Sequence, residues 1–277
     1  MQKSLTCGKY NLSFDKTILM GILNVTPDSF SDGGLFFDPK AAVEHAKQMA
    51  KDGAQVIDIG GESTRPGSAQ ISQEEEFRRV KPVIEALLNK VDVLISIDTY
   101  KPKVAEECLK LGVHIVNDVT GLANKNMLNV VKKYQAPIIV MHMKGKPKTM
   151  QKNPIYEDAV AEIKKFLADK ISKARKAGIK DIIIDPGIGF GKTTEHNLQI
   201  LKRLHEFEEL GCPILIGPSR KTFIGTINGV PPSERREGTL AAVAIAAMNG
   251  ANIIRVHDVK ECRRAVQIAD AIRCADG

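Results

Sequence analysis

The sequence has few cysteines, and no two of them lie close together along the chain. The five are odd in number and form no C-x-x-C motif; they are Cys7, Cys108, Cys212, Cys262 and Cys274. This spacing argues against a zinc site and against a disulfide framework. It is typical of reduced thiols in a cytoplasmic protein.

Long apolar runs are also missing. The longest, "LAAVAIAAM", covers residues 240–248, whereas a membrane-spanning helix needs about 20 apolar residues. The first 14 residues contain no continuous apolar core like that of a signal peptide. We therefore expect a cytoplasmic protein without a membrane partner.

The net charge of +7 has no concentrated source. Lysines and arginines alternate with acidic residues, as in residues 161–178, and no dense basic run with interleaved aromatic residues occurs. Binding to nucleic acid usually requires such a patch. The charge is therefore interpreted as a solvated surface, and no nucleic-acid partner is expected.

Eight short apolar runs indicate eight buried strands, because each run is continuous rather than alternating. They begin near residues 17, 54, 91, 113, 136, 181, 212 and 251. Eight strand-helix units in about 250 residues predict a (β/α)₈ TIM barrel of the α/β class. No linker rich in Pro, Gly or Ser divides the chain, so a single domain over residues 1–277 is expected, with residues 1–16 forming a strand-turn-strand cap. A doubly wound open sheet is the main alternative.

Amphipathic segments between these runs predict the helices. One of them has Pro102 in its first turn, a common start signal. The predicted helices cover residues 41–52, 74–89, 101–111, 156–177, 195–210, 239–249 and 260–275.

Polar residues follow every predicted strand. Because the C-terminal ends of all strands open onto one face of a barrel, these side chains are expected to converge. Carboxylates and amides there suit a heterocycle with an edge of N–H donors, and cations suit an anionic leaving group. An amide oxygen beside phosphate oxygens also suits Mg²⁺. The converging residues include Asn24, Asp98, Asn117, Met141, Asp185, Ser219, Lys221, Arg255 and His257.

The stretch "DPGIGFGKTT", residues 185–194, is similar to a nucleotide-binding P-loop but has the wrong spacing. A P-loop has four residues between its first glycine and the Gly-Lys pair, and the glycine in the right place is replaced by Pro186. Asp185 would also repel a triphosphate. We expect no nucleotide here and little effect of Lys192→Ala on turnover. A G-x-S-x-G motif is also missing, so covalent catalysis is disfavoured.

Two connections are long for strand-helix loops. They cover residues 24–39 and 60–76 and are rich in Gly, Pro, Ser, Thr and Asp. Loops of this kind often act as mobile lids over active sites.

Motifs at these positions resemble the dihydropteroate synthase family, folate-pathway enzymes that sulfonamides inhibit. They occur in order over nearly the whole chain, with small departures such as Thr222 in place of a common serine. The matching segments are residues 21–34, 57–67, 95–99, 116–121, 141–151, 185–193, 217–225 and 255–259.

The resemblance implies a reaction in which p-aminobenzoate displaces the diphosphate of 6-hydroxymethyl-7,8-dihydropterin. It implies a pterin site formed by Asp98, Asn117, Met141, Asp185, Lys221 and Arg255. It implies a diphosphate site formed by Asn24, Arg255 and His257, with Asn24 also binding Mg²⁺. It implies a p-aminobenzoate site formed by Phe30, Thr64, Arg65, Pro66, Phe190, Ser219 and Lys221. The implied catalytic residues are Asp32, Arg65, Lys221, Arg255 and His257.

Loss of pyrophosphate is expected to precede attack by the amine, with Asp32 stabilising the cation. The helical segment with small apolar residues near 239–250 suggests a homodimer, as in family members. Two alternatives remain: a methyltetrahydrofolate-corrinoid methyltransferase built on a related pterin-binding barrel, and a non-enzymatic barrel that binds polyanions.

Overall fold

Eight parallel strands form the centre of the protein. The computed structural model describes residues 4–8, 10–26, 39–63, 70–88, 90–145 and 149–275. The parallel strands are β3 (Ile18–Asn24), β4 (Val56–Gly60), β5 (Leu94–Asp98), β6 (Ile115–Asp118), β7 (Ile138–Met141), β8 (Ile182–Asp185), β9 (Leu215–Ile216) and β10 (Ile253–Val256). An antiparallel hairpin of β1 (Ser4–Cys7) and β2 (Tyr10–Ser13) precedes them.

The parallel strands form a closed ring. Their order is β8-β7-β6-β5-β4-β3-β10-β9, and every neighbouring pair is parallel. A parallel bridge between Ile184 and Ile214 joins the two ends, and the N–H of Ile184 donates to the carbonyl of Pro213 at 2.9 Å. The predicted (β/α)₈ barrel is therefore confirmed, and the open-sheet alternative is wrong.

Helices connect the strands. They are α1 (Pro39–Asp52), α2 (Gln73–Leu88), α3 (Pro102–Leu111), α4 (Asn126–Tyr134), α5 (Ala159–Lys176), α6 (Thr194–Lys202), α7 (Thr222–Asn228), α8 (Arg236–Met248) and α9 (Val259–Arg273). The seven predicted helices are present with shifted ends, and the predicted helix over 195–210 changes to a 3₁₀ helix at Leu204–Leu210. The short helices α4 and α7 were not predicted.

Local sequence explains where several helices begin and end. In α3, Pro102 occupies the first turn, and the helix ends at Gly112 with φ 109°, a backbone conformation that favours glycine. In α5, the carboxylate of Asp158 caps the first turn by accepting from the N–H groups of Val160 and Ala161.

Side chains on each strand alternate between the barrel interior and the layer of helices. Ile18, Met20 and Val56 belong to the interior cluster, whereas Leu19 and Ile57 pack in the outer cluster with the helices. Both faces of the strands are therefore buried, which explains the continuous apolar runs.

The hairpin closes the N-terminal end of the barrel. Leu5, Cys7 and Leu12 are buried in the same cluster as the interior side chains of the barrel floor. The expected strand-turn-strand cap is present in the described residues. Because this end is sealed by apolar side chains, polar groups inside the barrel lie toward the opposite mouth.

The polar interior residues follow from the same alternation. Asp58, Asn117, Asp185 and Arg255 each lie two positions after an apolar floor residue on the same strand. Two-residue periodicity returns a side chain to the same face. These four residues therefore form a polar layer above the floor.

The described residues also bear on the expectations about membrane spans and cysteines. Within those ranges no helix combines the length and apolarity that a membrane span requires. All five cysteines are free thiols, of which only Cys274 is exposed.

Candidate active site

A partly buried arginine lies between two buried carboxylates in the barrel mouth. The Nε of Arg255 donates to Oδ2 of Asp58 at 2.6 Å, and its Nη2 donates to Oδ2 of Asp98 at 2.8 Å. The side-chain amide of Asn117 donates to the same oxygen of Asp58 at 2.9 Å. Asp58 has no exposed surface. These contacts bring together residues that lie up to 197 positions apart in sequence.

This network retains free hydrogen-bonding capacity. Among the described residues, Oδ1 of Asp58, Oδ1 of Asp98 and Oγ of Ser96 are buried without a hydrogen-bond partner. Buried polar atoms in this state are uncommon in folded proteins. A ligand with several N–H groups would satisfy them, because carboxylate oxygens accept hydrogen bonds.

Burial also changes the acidity of the carboxyl groups. It raises the pKa of Asp98 to about 7, while the adjacent Arg255 guanidinium opposes the rise. It likewise raises the pKa of Asp185, opposed by the N–H of Gly187, 2.7 Å from Oδ1, and by the charge of Lys221. Near neutral pH, Asp98 can therefore either accept or donate a hydrogen bond to a ligand.

Asp58 is the member of the network that the sequence analysis missed. It lies within β4, two positions before the strand ends at Gly60, whereas only strand ends were considered. Its signal was a charge in the middle of the apolar run "VIDIG". Because Val56 faces the interior, Asp58 must face it as well.

A cation and an aromatic ring form a second wall of the mouth. The Nζ of Lys221 lies 4.2 Å from the centre of the Phe190 ring. Lys221 immediately precedes α7, and Phe190 belongs to the loop after β8. Because Gly189 has no side chain, Lys221 packs directly over the backbone of that loop; a Cβ would lie 2.9 Å from Cδ of Lys221. An ammonium group beside an aromatic face suits a ligand that is both aromatic and anionic.

The ends of β9 and β10 are joined by a second contact. The Oγ of Ser219 lies 2.9 Å from Nδ1 of His257 and accepts from the backbone N–H of His257 at 3.3 Å. The resemblance assigns Ser219 to p-aminobenzoate and His257 to the diphosphate. The contact brings these two candidate residues together.

Lys192 is buried inside the loop after β8. Its Nζ donates to the carbonyls of Gly187 at 2.8 Å and Phe190 at 3.0 Å, and it lies 3.0 Å from Nδ1 of His142. Gly187 has φ 73°, and a Cβ there would collide with the carbonyl oxygen of His142. Lys192 therefore holds the loop that carries Phe190, and the little effect of Lys192→Ala on turnover stays a prediction.

Of the remaining candidate site residues, two lie at strand ends and five lie outside the described residues. Met141 is buried and lies opposite Asp185 in the β7–β8 register. Asn24 ends β3 opposite Gly60 of β4 and is partly buried. Five candidates lie outside the described residues: Phe30, Asp32, Thr64, Arg65 and Pro66.

The donor groups at the mouth do not form a dedicated metal cage. In the described ranges, no group of three or more His, Cys, Asp or Glu side chains is arranged to hold a metal ion. Mg²⁺ often binds through one or two protein oxygens, substrate phosphates and water. The carboxamide oxygen of Asn24, at a strand end beside the polar mouth, fits that mode.

Comparison with known proteins identifies the class of enzyme to which this barrel and its polar mouth belong. A family model described as "Pterin binding enzyme" matches residues 20–257. The dihydropteroate synthase of Escherichia coli is 49% identical over 255 residues, which cover 91% of this chain and 90% of that protein. The chain is thus a pterin-binding barrel enzyme.

Two solved structures extend the match to three dimensions. Yersinia pestis dihydropteroate synthase with a sulfonamide drug has a TM-score of 0.94 at 46% identity, covering 98% of this chain and 100% of that one. Xanthomonas albilineans dihydropteroate synthase with 7,8-dihydropteroate has a TM-score of 0.90 at 40% identity, covering 99% and 100%. Within the pterin-binding class, this chain belongs to the dihydropteroate synthase family.

Proposed function

We propose that this chain condenses 6-hydroxymethyl-7,8-dihydropterin diphosphate with p-aminobenzoate to give 7,8-dihydropteroate and pyrophosphate, a step of folate biosynthesis. The observation that carries the proposal is the network of Asp58, Arg255 and Asp98, with its free carboxylate oxygens, beside the Lys221–Phe190 wall. The first part suits an N–H-rich heterocycle, and the second suits an aromatic carboxylate.

The pterin is proposed to bind in the polar layer of the barrel. A carboxylate can accept two parallel N–H bonds, which suits Asp185 for the amino edge of the ring. The free Oδ1 of Asp98 is a second acceptor. The full proposed set is Asp98, Asn117, Met141, Asp185, Lys221 and Arg255, the methionine and arginine packing on the ring faces.

The diphosphate is proposed to lie above the pterin, near the ends of β3 and β10, where Asn24, Arg255 and His257 are. Arg255 already donates through Nε and Nη2 to carboxylates. It therefore has less capacity left for phosphate oxygens, and we assign a larger share of this binding to His257 and Asn24. When bound through Asn24, Mg²⁺ would supply neutralisation of charge on the leaving diphosphate.

p-Aminobenzoate is proposed to bind at the Lys221–Phe190 wall. The carboxylate of p-aminobenzoate would pair with the ammonium group of Lys221. Its ring would lie against Phe190 and Ser219. Thr64, Arg65, Pro66 and Phe30, proposed from the sequence, would complete the pocket.

The chain's own groups support a mechanism without a strong base. The side chains of Arg255, Lys221 and His257 would stabilise growing charge on the departing diphosphate. The aromatic amine reaches the site unprotonated, so no strong general base is required, and the proton that it loses when the C–N bond forms goes to the departing pyrophosphate or to water. Asp32 and the mouth carboxylates would stabilise the cation at the pterin methylene, and Arg65 would orient the incoming amine.

A homodimer is proposed through α8 and α9. These helices pack together, and both expose large apolar side chains: Ile245 is 50% exposed, Met248 42%, Ile268 65% and Ile272 58%. Residues three or four positions apart share a helix face. Two apolar pairs on adjacent helices form a surface that a second copy would bury.

Three further parts of the proposal concern the whole chain. Residues 1–277 act as one domain, the enzyme works in the cytoplasm, and neither nucleic acid nor membrane is a partner. The buried thiols and the dispersed basic residues support these assignments.

Pyrophosphate release by the purified protein tests the proposed function. The assay supplies the pterin diphosphate with and without p-aminobenzoate and Mg²⁺, and mass spectrometry follows 7,8-dihydropteroate. We expect product only when both substrates and the metal ion are present. Tight binding of methyltetrahydrofolate with no product from the pterin diphosphate would overturn the proposal.

A further inference from the structure

Arg220 has a backbone conformation that is uncommon for a residue with a side chain. Its φ is 56°, in the left-handed region that favours glycine. It is the third residue of a turn over 218–221, in which the N–H of Lys221 donates to the carbonyl of Pro218 at 3.3 Å. A positive φ at the third residue of a turn is usually supplied by glycine or asparagine. An arginine there therefore needs contacts that hold it in place.

Both backbone groups of Arg220 are held from the start of α8. Its N–H donates to Oγ1 of Thr239 at 3.0 Å, and its carbonyl accepts from Nη1 of Arg235 at 3.1 Å. Thr239 is fully buried. These two bonds do not involve the Arg220 side chain, so a substitution of that side chain leaves their donors and acceptors in place.

The side chain of Arg220 binds the connection that follows β10. Its Nε donates to Oδ2 of Asp258 at 3.0 Å, and its Nη2 donates to Oδ1 at 2.5 Å. Two parallel bonds of this kind fix the relative orientation of a guanidinium and a carboxylate. Asp258 directly follows His257, and within the described residues its carboxylate does not cap α9. The ion pair therefore joins the turn after β9 to the residue next to His257.

A second link joins the same two connections inside the mouth. The Oγ of Ser219 lies 2.9 Å from Nδ1 of His257 and accepts the backbone N–H of His257 at 3.3 Å. Arg220 and Asp258 are the next residues along each connection. The ion pair thus lies one residue away from a contact between two candidate site residues, and both links hold the turn to the end of β10.

We propose that Arg220 is a positioning residue, which acts through Asp258 to fix the turn over 218–221 relative to His257. The inference rests on the proposed function, which assigns two residues of this turn to p-aminobenzoate and His257 to the diphosphate. These groups act on one carbon, because the amine attacks where the diphosphate departs. A displacement of about 1 Å at such a group can reduce a rate about 100-fold.

The exposure of the ion pair separates an effect on position from an effect on stability. The side chain of Arg220 is 43% exposed and that of Asp258 is 16% exposed. Exposed ion pairs contribute little to the free energy of unfolding. A variant without this pair should therefore fold as wild type does, and a change in its kinetics then reports on position.

Steady-state kinetics and urea unfolding of Arg220→Met test the inference. We expect kcat to fall about tenfold and KM for p-aminobenzoate to rise, because the turn that binds this substrate loses its fixed position. The urea midpoint should stay close to that of wild type. Arg220→Lys should recover part of the loss, because it restores a cation without the planar fork.

A double-mutant cycle shows whether the two side chains act as a pair. Asp258→Asn should change the same constants in the same direction as Arg220→Met. The double variant should be about as active as Arg220→Met alone, because the ion pair is already absent in the single variant. Losses that multiply in the double variant would show that the two residues act separately and would overturn the inference.

Arg236→Met is the matched surface control. The Nε of Arg236 lies 3.5 Å from Oε1 of Glu237, and the two side chains are 54% and 74% exposed. Both residues belong to the first turn of α8. Because this pair joins neighbours within one turn of one helix, the variant should behave as wild type in kinetics and in unfolding.

Hydrogen exchange at the His257 amide gives a readout that is independent of activity. The bond to Oγ of Ser219 should protect this amide in wild type and in Arg236→Met. Protection should fall about fivefold or more in Arg220→Met and in Asp258→Asn, because the two connections separate more often. Arg220→Lys should lie between these variants and wild type.

The outcomes separate the inference from the proposed function. Wild-type kinetics in Arg220→Met would overturn the inference, as would unchanged protection of the His257 amide. A loss of activity that only follows a loss of global stability would also overturn it. If Arg220→Met does not fold, Asp258→Asn keeps the inference testable, because a carboxamide has nearly the same shape as a carboxylate. Absence of product from the wild-type enzyme, with the expected exchange pattern intact, would instead overturn the proposed function.

Discussion

At the scale of single residues, the site depends on how Arg255 is held. Two carboxylates and one guanidinium share a buried space, so the orientation of the arginine is fixed before any ligand arrives. Preorganised charge of this kind needs no rearrangement during a reaction. Asp58 holds Arg255 through its carboxylate. The sequence analysis assigned no substrate role to Asp58.

Asp58→Asn should weaken the use of the pterin diphosphate without unfolding the protein. The amide oxygen keeps a hydrogen-bond acceptor for Arg255, but the charge-assisted bond is lost, a loss of about 1.5–3 kcal/mol. We expect kcat/KM for the pterin diphosphate to fall about 10–100-fold. Asp92→Asn, at an exposed position, is the control. A wild-type kcat/KM in Asp58→Asn would show that Arg255 needs no such support.

His142 makes stability depend on pH. It is buried, its ring lies 4.9 Å from that of Phe166, and burial lowers its pKa from 6.5 to about 3, with the Lys192 charge adding to the effect. Between pH 6.5 and about 3, the His142 imidazole is therefore protonated in the unfolded chain but neutral in the native protein. Stability from this group is complete above pH 6.5 and is lost as the pH falls toward 3.

Denaturant unfolding at pH 7.5 and pH 5 measures this contribution. Wild type should lose about 2 kcal/mol more than His142→Gln between these pH values, from about 1.4 kcal/mol per pH unit below 6.5. Groups that do not contact His142 titrate in both proteins and cancel in the difference; Lys192, whose Nζ lies 3.0 Å from Nδ1 of His142, is the exception. Identical losses in the two proteins would mean that His142 takes up its proton equally well in both states.

At the scale of elements, the loop after β8 is organised around one buried lysine. Its carbonyls at Gly187 and Phe190 point to Lys192, while those at Gly189 and Gly191 accept from Gln151 at 2.6 Å and Tyr156 at 2.9 Å. The glycine-rich sequence is similar to a phosphate-binding loop, but its hydrogen bonds hold the backbone on both sides of Phe190.

Lys192→Met should destabilise the protein by about 2–4 kcal/mol, because two backbone carbonyls lose a charged donor. The loss is smaller than the sum of the bonds, since burial disfavours the ammonium and lowers the pKa of Lys192 to about 7. Urea unfolding measures the change. Lys202→Met, at an exposed position of α6, should have no effect. Equal stability of the two variants would contradict a structural role for Lys192.

The elements themselves were largely predictable. Continuous apolar runs gave the strands because both faces are buried, and polar residues at strand ends gave the mouth. Helices α4 and α7 were missed because they are short, nine and seven residues long. Asp58 and Lys192 were missed for a different reason: their roles come from partners distant in sequence, such as Arg255 and His142.

At the scale of the whole molecule, the two ends of the barrel have separate tasks. The N-terminal hairpin seals the floor with Leu5, Cys7 and Leu12. The opposite end gathers the charged side chains. This division is what the barrel topology predicts, since every strand ends at the same face.

Ile245→Glu tests the proposed homodimer. A charge in an apolar interface is strongly unfavourable, so light scattering coupled to size exclusion should show a shift from the mass of two chains to one. Ile155→Glu is the matched control, since Ile155 is 69% exposed and belongs to the connection between β7 and α5. A wild-type protein with the mass of one chain, or a variant with the mass of two, would contradict the dimer.

Titration calorimetry of the pterin diphosphate with wild type and Asp185→Ala tests the convergence of the strand ends most directly. Buried N–H donors of the ligand would lose a charged acceptor, so the variant should bind more weakly by about 2–5 kcal/mol. Unchanged affinity in Asp185→Ala would contradict the assignment of the barrel mouth as the pterin site.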